Sequence, residues 1–397
     1  MHARQEHAPQ QSAKESAQET ATRDASLAAR RAMHGSNKLQ IGLFGPNCSS
    51  GRAVTLVPER WSGNWPDNKR LAQMSDEAGI DFLLPIGRWK GYGGDTDYQG
   101  TTLETITWAT GLLASTKRIT VFGTVHAPLL HPIIAAKEFV TADLIGRGRF
   151  GLNIVVGWNE GEFEMFGVSQ RAHDERYAYG KEWLDAVKRM WGPDDDFDLD
   201  GKYFQLRKVR AKPKPYGGTR PIIMNAGASP TGRAFALENC DAFFTAVRLF
   251  TLETVTREIA DARAAARARG REIGVYTTGQ VVCRPTAKEA QDYYRYWTGD
   301  MADWDAIDLI MGMRGERRGE TPDYERLRRE LVNGMSGFTM VGTPDDVAAD
   351  LARVSQAGFD GIGFSFVNFL DELPYFAAEV LPRLERLRLR EDRRADR

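Results

Sequence analysis

From residue 38 onward, short uninterrupted apolar runs alternate with longer stretches in which apolar residues return every three or four positions. The first pattern marks strands and the second amphipathic helices. Runs at 39–44, 80–86, 119–125, 150–156, 221–225, 242–246, 273–283 and 361–367 predict strands. Helices are predicted at 69–78, 103–114, 133–144, 174–190, 229–238, 252–269, 287–297, 344–357 and 374–389. Gly79 stands where the first helix should stop, because glycine accepts the left-handed conformation of a helix end.

Strands that are apolar throughout are buried on both faces, which is the signature of a parallel sheet. Eight such strands with helices behind them predict an α/β fold, a single (β/α)8 TIM barrel over residues 38–389. A doubly wound open sheet is the alternative. Insertions are expected after strand four, where residues 192–215 carry a hairpin pattern, and after strand seven, where 298–340 are polar and rich in Arg and Gly. Residues 1–37 hold Met1, Leu27 and Met33 as their larger aliphatic side chains. Too little apolar surface is available there to offset ordering entropy, so a disordered N-terminal tail is expected. Residues 383–397 contain seven Arg and four acids, predicting a solvated helix end and a charged C-terminal tail at 390–397.

Composition narrows the function classes. Lys plus Arg is 53 and Asp plus Glu is 54, so neither nucleic acid nor an anionic membrane surface is an expected partner. No apolar run approaches the roughly 18 residues of a spanning helix. Cys48, Cys240 and Cys283 are too few and scattered for a disulfide framework or zinc cluster, and a cytoplasmic location is expected. Three of the six histidines lie in the N-terminal tail, and no metal site is expected.

In a barrel of this kind the loops that follow the strands carry the chemistry. Gly146 to Gly151 spells GxGxxG, but a helix precedes it and a strand follows, the reverse of a dinucleotide fingerprint. Gly227-Ala228-Ser229-Pro230-Thr231 has the right order: it follows a strand and opens a helix. Ser229 can cap, Pro230 suits the first turn, and the free N–H groups make a phosphate site. The bland reading is a capped helix with nothing bound. Asn153 is an amide inside an apolar strand and must find partners, either within the core or on a polar heterocycle at the barrel mouth. Thr124 and His126 end the third strand, and His126 is either an acid/base or a packed histidine. Gly87 and Arg88 open a mobile-looking loop that continues through Gly91-Tyr92-Gly93-Gly94. No Cys–His pair, serine elbow or carboxylate dyad is evident, so a cofactor is expected to carry the hard chemistry.

The stretch Gly148–Val155 with Gly157-Trp158-Asn159 and Glu162, together with Arg176-Tyr177, Lys212–Pro215 and Gly342-Thr343-Pro344, resembles the luciferase-like flavin-dependent monooxygenases over residues 38–389. Within them the chain looks most like the pyrimidine and dimethylsulfone monooxygenase branch. The resemblance implies reduced FMN, delivered by a separate NAD(P)H-dependent flavin reductase, and O2 as co-substrate. It places Gly87 and Arg88 along the flavin. Asn153 and Glu162 fall on its ring edge or ribityl chain, and Arg176, Tyr177, Gly227 and Ser229 around the phosphate. Thr124 falls near flavin N5, and Thr124, His126 and Asn153 become the catalytic candidates, with His126 as proton donor. Trp61–Pro66 and Pro128–His131 are assigned to the substrate side. A small polar substrate is implied: a cyclic amide cleaved at C–N, a sulfone at C–S, or an amine oxygenated at N. The resemblance also implies a homodimer or homotetramer. The alternative on the same barrel is an F420-dependent oxidoreductase.

Overall fold

The computed structural model describes residues 33, 35–193, 195–227, 229–245, 251–334 and 337–391. In chain order the elements are β1 (Gln40–Phe44), α1 (Trp65–Ala78), β2 (Phe82–Leu84), α2 (Thr105–Ser115), β3 (Thr120–His126), α3 (Pro132–Ile145), β4 (Phe150–Val155), α4 (Glu160–Met165) and α5 (His173–Trp191). The hairpin β5 (Asp196–Asp200) and β6 (Gln205–Arg210) comes next, then β7 (Ile222–Asn225), α6 (Pro230–Asn239), β8 (Ala242–Thr245), α7 (Leu252–Arg267) and β9 (Gly274–Cys283). The chain finishes with α8 (Ala287–Arg295), α9 (Trp304–Met313), α10 (Tyr324–Leu331), β10 (Phe338–Gly342), α11 (Pro344–Gln356), β11 (Gly361–Ser365), α12 (Phe369–Glu379) and α13 (Leu381–Arg386).

Eight parallel strands close a ring in the order β1, β2, β3, β4, β7, β8, β9, β11, with β11 returning to β1 through Gln40 opposite Gly361. Closure leaves the ring itself without a free sheet edge. The ring is therefore the expected (β/α)8 barrel. Because all strands point one way, their C-terminal ends share one rim.

The interior explains where the ligand space lies. Phe82, Phe122, Tyr276, Ile222 and Ala242 pack together inside the ring. The Phe82 ring meets those of Phe122 and Tyr276 edge-on at 6.0 Å. Two glycines make room for these rings. A Cβ on Gly42 would fall 2.2 Å from the Phe82 ring, and one on Gly151 2.5 Å from Phe122. The floor of the barrel is thus solid aromatic packing, and open volume is left to the C-terminal mouth.

Several boundaries differ from the sequence-based expectation. Met33, assigned to the tail, is 2% exposed and belongs to the interior cluster, and Asn37 donates to Asp81 Oδ1 at 2.9 Å. Residues 1–32 and 34, the rest of the expected disordered segment but for 35–37, lie outside the described residues. The C-terminal end is not uniformly solvated: Arg390 is buried and pairs with Asp81. Helix α12 starts at Phe369, ahead of Pro374, because the Asn368 side chain accepts from the N–H groups of Leu370 and Asp371. Segment 298–340 is more ordered than its composition suggests. Its described residues form α9, α10 and the short strand β10, which pairs in parallel with the second half of β9 beyond the point where β8 ends. With Ala53, Val54, Val57, Tyr92 and Tyr98 it builds a second apolar cluster above the rim. No helix among the described residues is long and apolar enough to cross a membrane.

Candidate active site

Asn153 on β4 pairs in register with Thr124 on β3. Its Nδ2 donates to Thr124 Oγ1 at 3.1 Å, and Thr124 Oγ1 in turn donates to the Pro85 carbonyl at 2.7 Å. Both side chains are buried. Asn153 Oδ1 has no hydrogen-bond partner among the described residues. It lines a cavity of about 730 Å3 at the rim, shared with Phe44, Leu84, Arg88, Trp158 and Thr278. That volume lies in the range of cofactor and ligand pockets. A buried carbonyl oxygen left unbonded costs about 1–3 kcal/mol. A ligand N–H in the cavity removes that cost.

Glu162, in α4, joins the loop after β2 to the end of β3. Its Oε1 accepts from Arg88 Nη1 and from the Trp89 N–H, each at 2.9 Å. Its other oxygen lies 3.6 Å from His126 Nε2. The Arg88 guanidinium rests 4.5 Å from the Tyr92 ring and 5.8 Å from Trp158. Gly87 is needed for this approach: a Cβ there would sit 3.0 Å from both His126 Cε1 and Thr124 Cγ2. Burial pushes the His126 pKa down to about 4; Glu162 opposes the shift and Arg88 reinforces it. The Arg88 charge already offsets Glu162, so desolvation wins. At neutral pH the imidazole is uncharged and carries one N–H and one free ring nitrogen.

The turn after β7 lies at the same rim as Asn153, because β4 and β7 are adjacent and parallel with Asn153 opposite Met224. Ser229 Oγ accepts from the Gly232 N–H at 3.1 Å and Pro230 occupies the first turn. The Gly227 N–H donates to Asn225 Oδ1 at 2.8 Å. Glycines keep the turn compact: a Cβ on Gly227 would meet Gly232 Cα at 2.7 Å, and one on Gly232 would meet Tyr177 Oη at 2.4 Å. Arg176 donates to the Gly157 carbonyl, and its Nε has no partner among the described residues. Thr231 Oγ1 donates to Asp174 at 2.9 Å, tying the first turn of α6 to that of α5.

The candidates therefore fall into two adjoining groups on one rim. Gly87, Arg88, Thr124, His126, Asn153 and Glu162 form one, and Arg176, Tyr177, Gly227 and Ser229 the other. The segments assigned to the substrate side do not join them. Trp65 packs over Gly111 of α2, and His131 caps α3 with its ring against Phe204 of the hairpin. Arg52, Gln99 and Thr278 line the cavity instead. Thr278 could have been found by the reasoning that found Asn153, since Thr277, Thr278 and Gln280 also interrupt an apolar strand run.

The model of the luciferase-like monooxygenases matches residues 39–361. The chain belongs to this family. Among curated luciferase-like relatives, an FMNH2-dependent dimethylsulfone monooxygenase of Pseudomonas putida is 29% identical over 368 residues, covering 91% of this chain and 98% of the relative. A pyrimidine monooxygenase of Acinetobacter baylyi is 28% identical over 352 residues, covering 87% and 94%. In fold this luciferase-like barrel resembles a riboflavin lyase solved with modified FMN and riboflavin, with a TM-score of 0.78 at 22% identity over 88% of this chain and 91% of that one.

Proposed function

We propose that the protein is the oxygenating component of a two-component system, an FMNH2-dependent monooxygenase that acts with O2 on a small polar organic substrate. Reduced FMN comes from a separate NAD(P)H-dependent flavin reductase. The observation that carries this reading is the buried, unbonded Asn153 Oδ1 facing a cavity at the barrel rim, with the Ser229 turn following the neighbouring strand β7. Asn153 suits the N–H edge of a flavin ring. The turn at Gly227–Ser229, with Arg176 and Tyr177 beside it, suits a phosphate. The dimethylsulfone relative is FMNH2-dependent, which favours FMN over F420.

Bound reduced FMN supplies the electrons with which O2 is activated. The chain does the rest. Thr124 Oγ1 and Asn153 hold the polar edge in register, with Thr124 fixed on the Pro85 carbonyl. Glu162, bonded to Arg88 and the Trp89 N–H, locks the loop after β2 onto the loop after β4. Arg88, Tyr92 and Trp158 stack as one wall and restrict water. His126 stays neutral, with Nε2 toward Glu162, so we assign it proton acceptance rather than donation. The buried thiols of Cys48, Cys240 and Cys283, pushed up to about 12 by burial, suit a reducing compartment. The reading places the protein in the cytoplasm as a homodimer or homotetramer.

The test is oxygen uptake with a flavin reductase, NADH and FMN, screening cyclic amides, sulfones and amines with mass analysis of products. Substrate-dependent uptake giving a product with one added oxygen is expected. Absence of FMN binding in either redox state refutes the reading.

A further inference from the structure

The loop after β2, which carries Arg88 and Tyr92, is held from outside the barrel. Asp303 caps α9 and is 1% exposed. Its Oδ1 accepts from the Ala306 N–H at 3.0 Å and from the Asp95 N–H at 3.4 Å. Its Oδ2 accepts from the Thr96 N–H at 2.9 Å and from the Thr96 hydroxyl at 2.6 Å. Oδ1 thus caps the helix, and Oδ2 serves the loop alone. The base of this clamp is fixed. The Asp303 N–H donates to the Val54 carbonyl at 3.2 Å, and the Thr55 hydroxyl donates to the Trp297 and Met301 carbonyls at 3.0 and 2.8 Å.

The loop is shaped so that α9 can lie on it. Gly93 and Gly94 have φ of 77° and 79°. A Cβ on Gly94 would fall 2.5 Å from the Ala306 nitrogen, and one on Gly93 3.0 Å from Leu309 Cδ1. Within the loop, the Tyr92 N–H donates to the Tyr98 carbonyl and the Tyr98 N–H to the Gly93 carbonyl, each at 2.9 Å. Thr96 sits in the turn that these bonds close, so holding Thr96 also holds Tyr92. Tyr92 is the ring on which Arg88 rests, and it stacks with Trp158 at 6.4 Å.

We propose that Asp303 is a positioning residue for the cavity: it clamps the loop after β2 so that Tyr92 stays under Arg88 and the Arg88–Tyr92–Trp158 wall stays closed. The inference deepens the flavin reading and rests on it for what the wall covers. Asp303 does not line the cavity, so its effect passes through Thr96 and Tyr92. Hydrogen bonds to a carboxylate are about twice as strong as neutral ones. Losing the Oδ2 pair should therefore raise opening of the loop at least about tenfold. The insertion that holds α9 thereby acts on the chemistry from a distance, by fixing the shape of the wall that restricts water.

The test is made on the full chain by hydrogen exchange with mass spectrometry and by titration with oxidised FMN, read as fluorescence quenching. Asp303→Asn separates the two roles of the side chain. Its Oδ1 keeps the cap on α9, while an amide NH2 replaces Oδ2 and meets the Thr96 N–H donor to donor. The closed position is then no longer favoured, and the wall loses its contacts with FMN. Exchange across 88–100 should speed up at least about tenfold and FMN affinity should fall at least about fivefold. Slow exchange in β1 and β4 checks that the variant is folded. Thr96→Val removes the hydroxyl donor alone and should speed exchange of the loop at least about fivefold. Asp308→Asn is the control, because it breaks an ion pair with Arg328 on the same helix without touching the loop. It should leave loop exchange and FMN affinity within about twofold of the wild type. The proposal is overturned if loop exchange is unchanged in Asp303→Asn and Thr96→Val, if Asp303→Asn frees the loop but binds FMN as the wild type does, or if Asp308→Asn has the same effects. A wild-type chain that binds no FMN removes the flavin reading, while the exchange comparison still reads the clamp.

Discussion

His126 gives the most quantitative prediction. The ring is buried, its charged form is disfavoured, and its pKa in the folded chain is about 4. In the unfolded chain the value is about 6.5. As pH falls below 6.5 the unfolded chain takes up the proton first, so stability declines through the window from 6.5 to 4 and is fully present above it. Linkage puts the loss from this one group at about 0.7 kcal/mol between pH 7 and 6, and about 2 kcal/mol between pH 7 and 5. Other groups titrate there too, so the measurement is a difference. Urea unfolding of the wild-type chain and of His126→Gln is followed at pH 7, 6 and 5. The wild type should lose those amounts relative to the variant, which carries no proton at this position. If the gap between the two stays constant, burial does not hold the ring neutral. If it moves the other way, the Glu162 carboxylate governs the ring and His126 is an imidazolium at neutral pH.

Glu162→Ala leaves Arg88 buried without its carboxylate, at a cost of about 3–5 kcal/mol in unfolding free energy. A change below 1 kcal/mol in urea denaturation would show that the loops are not joined through this residue. Gly232→Ala drives a methyl against Tyr177 Oη and Gly227 Cα, so FMN affinity measured by fluorescence quenching should fall at least about tenfold. Unchanged affinity would place the phosphate elsewhere. Arg390→Met removes a buried ion pair from the Asp81 carboxylate, which also accepts from the Ile41 N–H at 2.7 Å and from Asn37 at 2.9 Å. Stability at pH 7 should drop by about 3 kcal/mol. A chain as stable as the wild type would assign this ion pair no weight.

Much of the molecule was legible in the chain because its signals are local. Continuous apolar runs mark strands covered on both sides, and glycine and proline mark where each element turns. Asn153 stood out because an amide in such a run has to be satisfied. The Ser229 turn stood out because a glycine, a capping serine and a proline follow a strand directly. What the chain could not show is set by contacts between distant residues. The neutrality of His126 depends on its burial, with Glu162 of α4 and Arg88 of the loop after β2 acting on it in opposite directions. The burial of Met33 and Arg390 depends on the barrel floor and on Asp81, and composition counted both as tail. The Arg52–Gln99 side of the cavity depends on Gly51, Thr278 and Gly334, three separate segments that meet only when the ring closes. Periodicity within a segment fixes which face is covered. Which polar groups then share a low-dielectric pocket, and so which charges and protons they keep, follows from ring closure and the packing of loops above it.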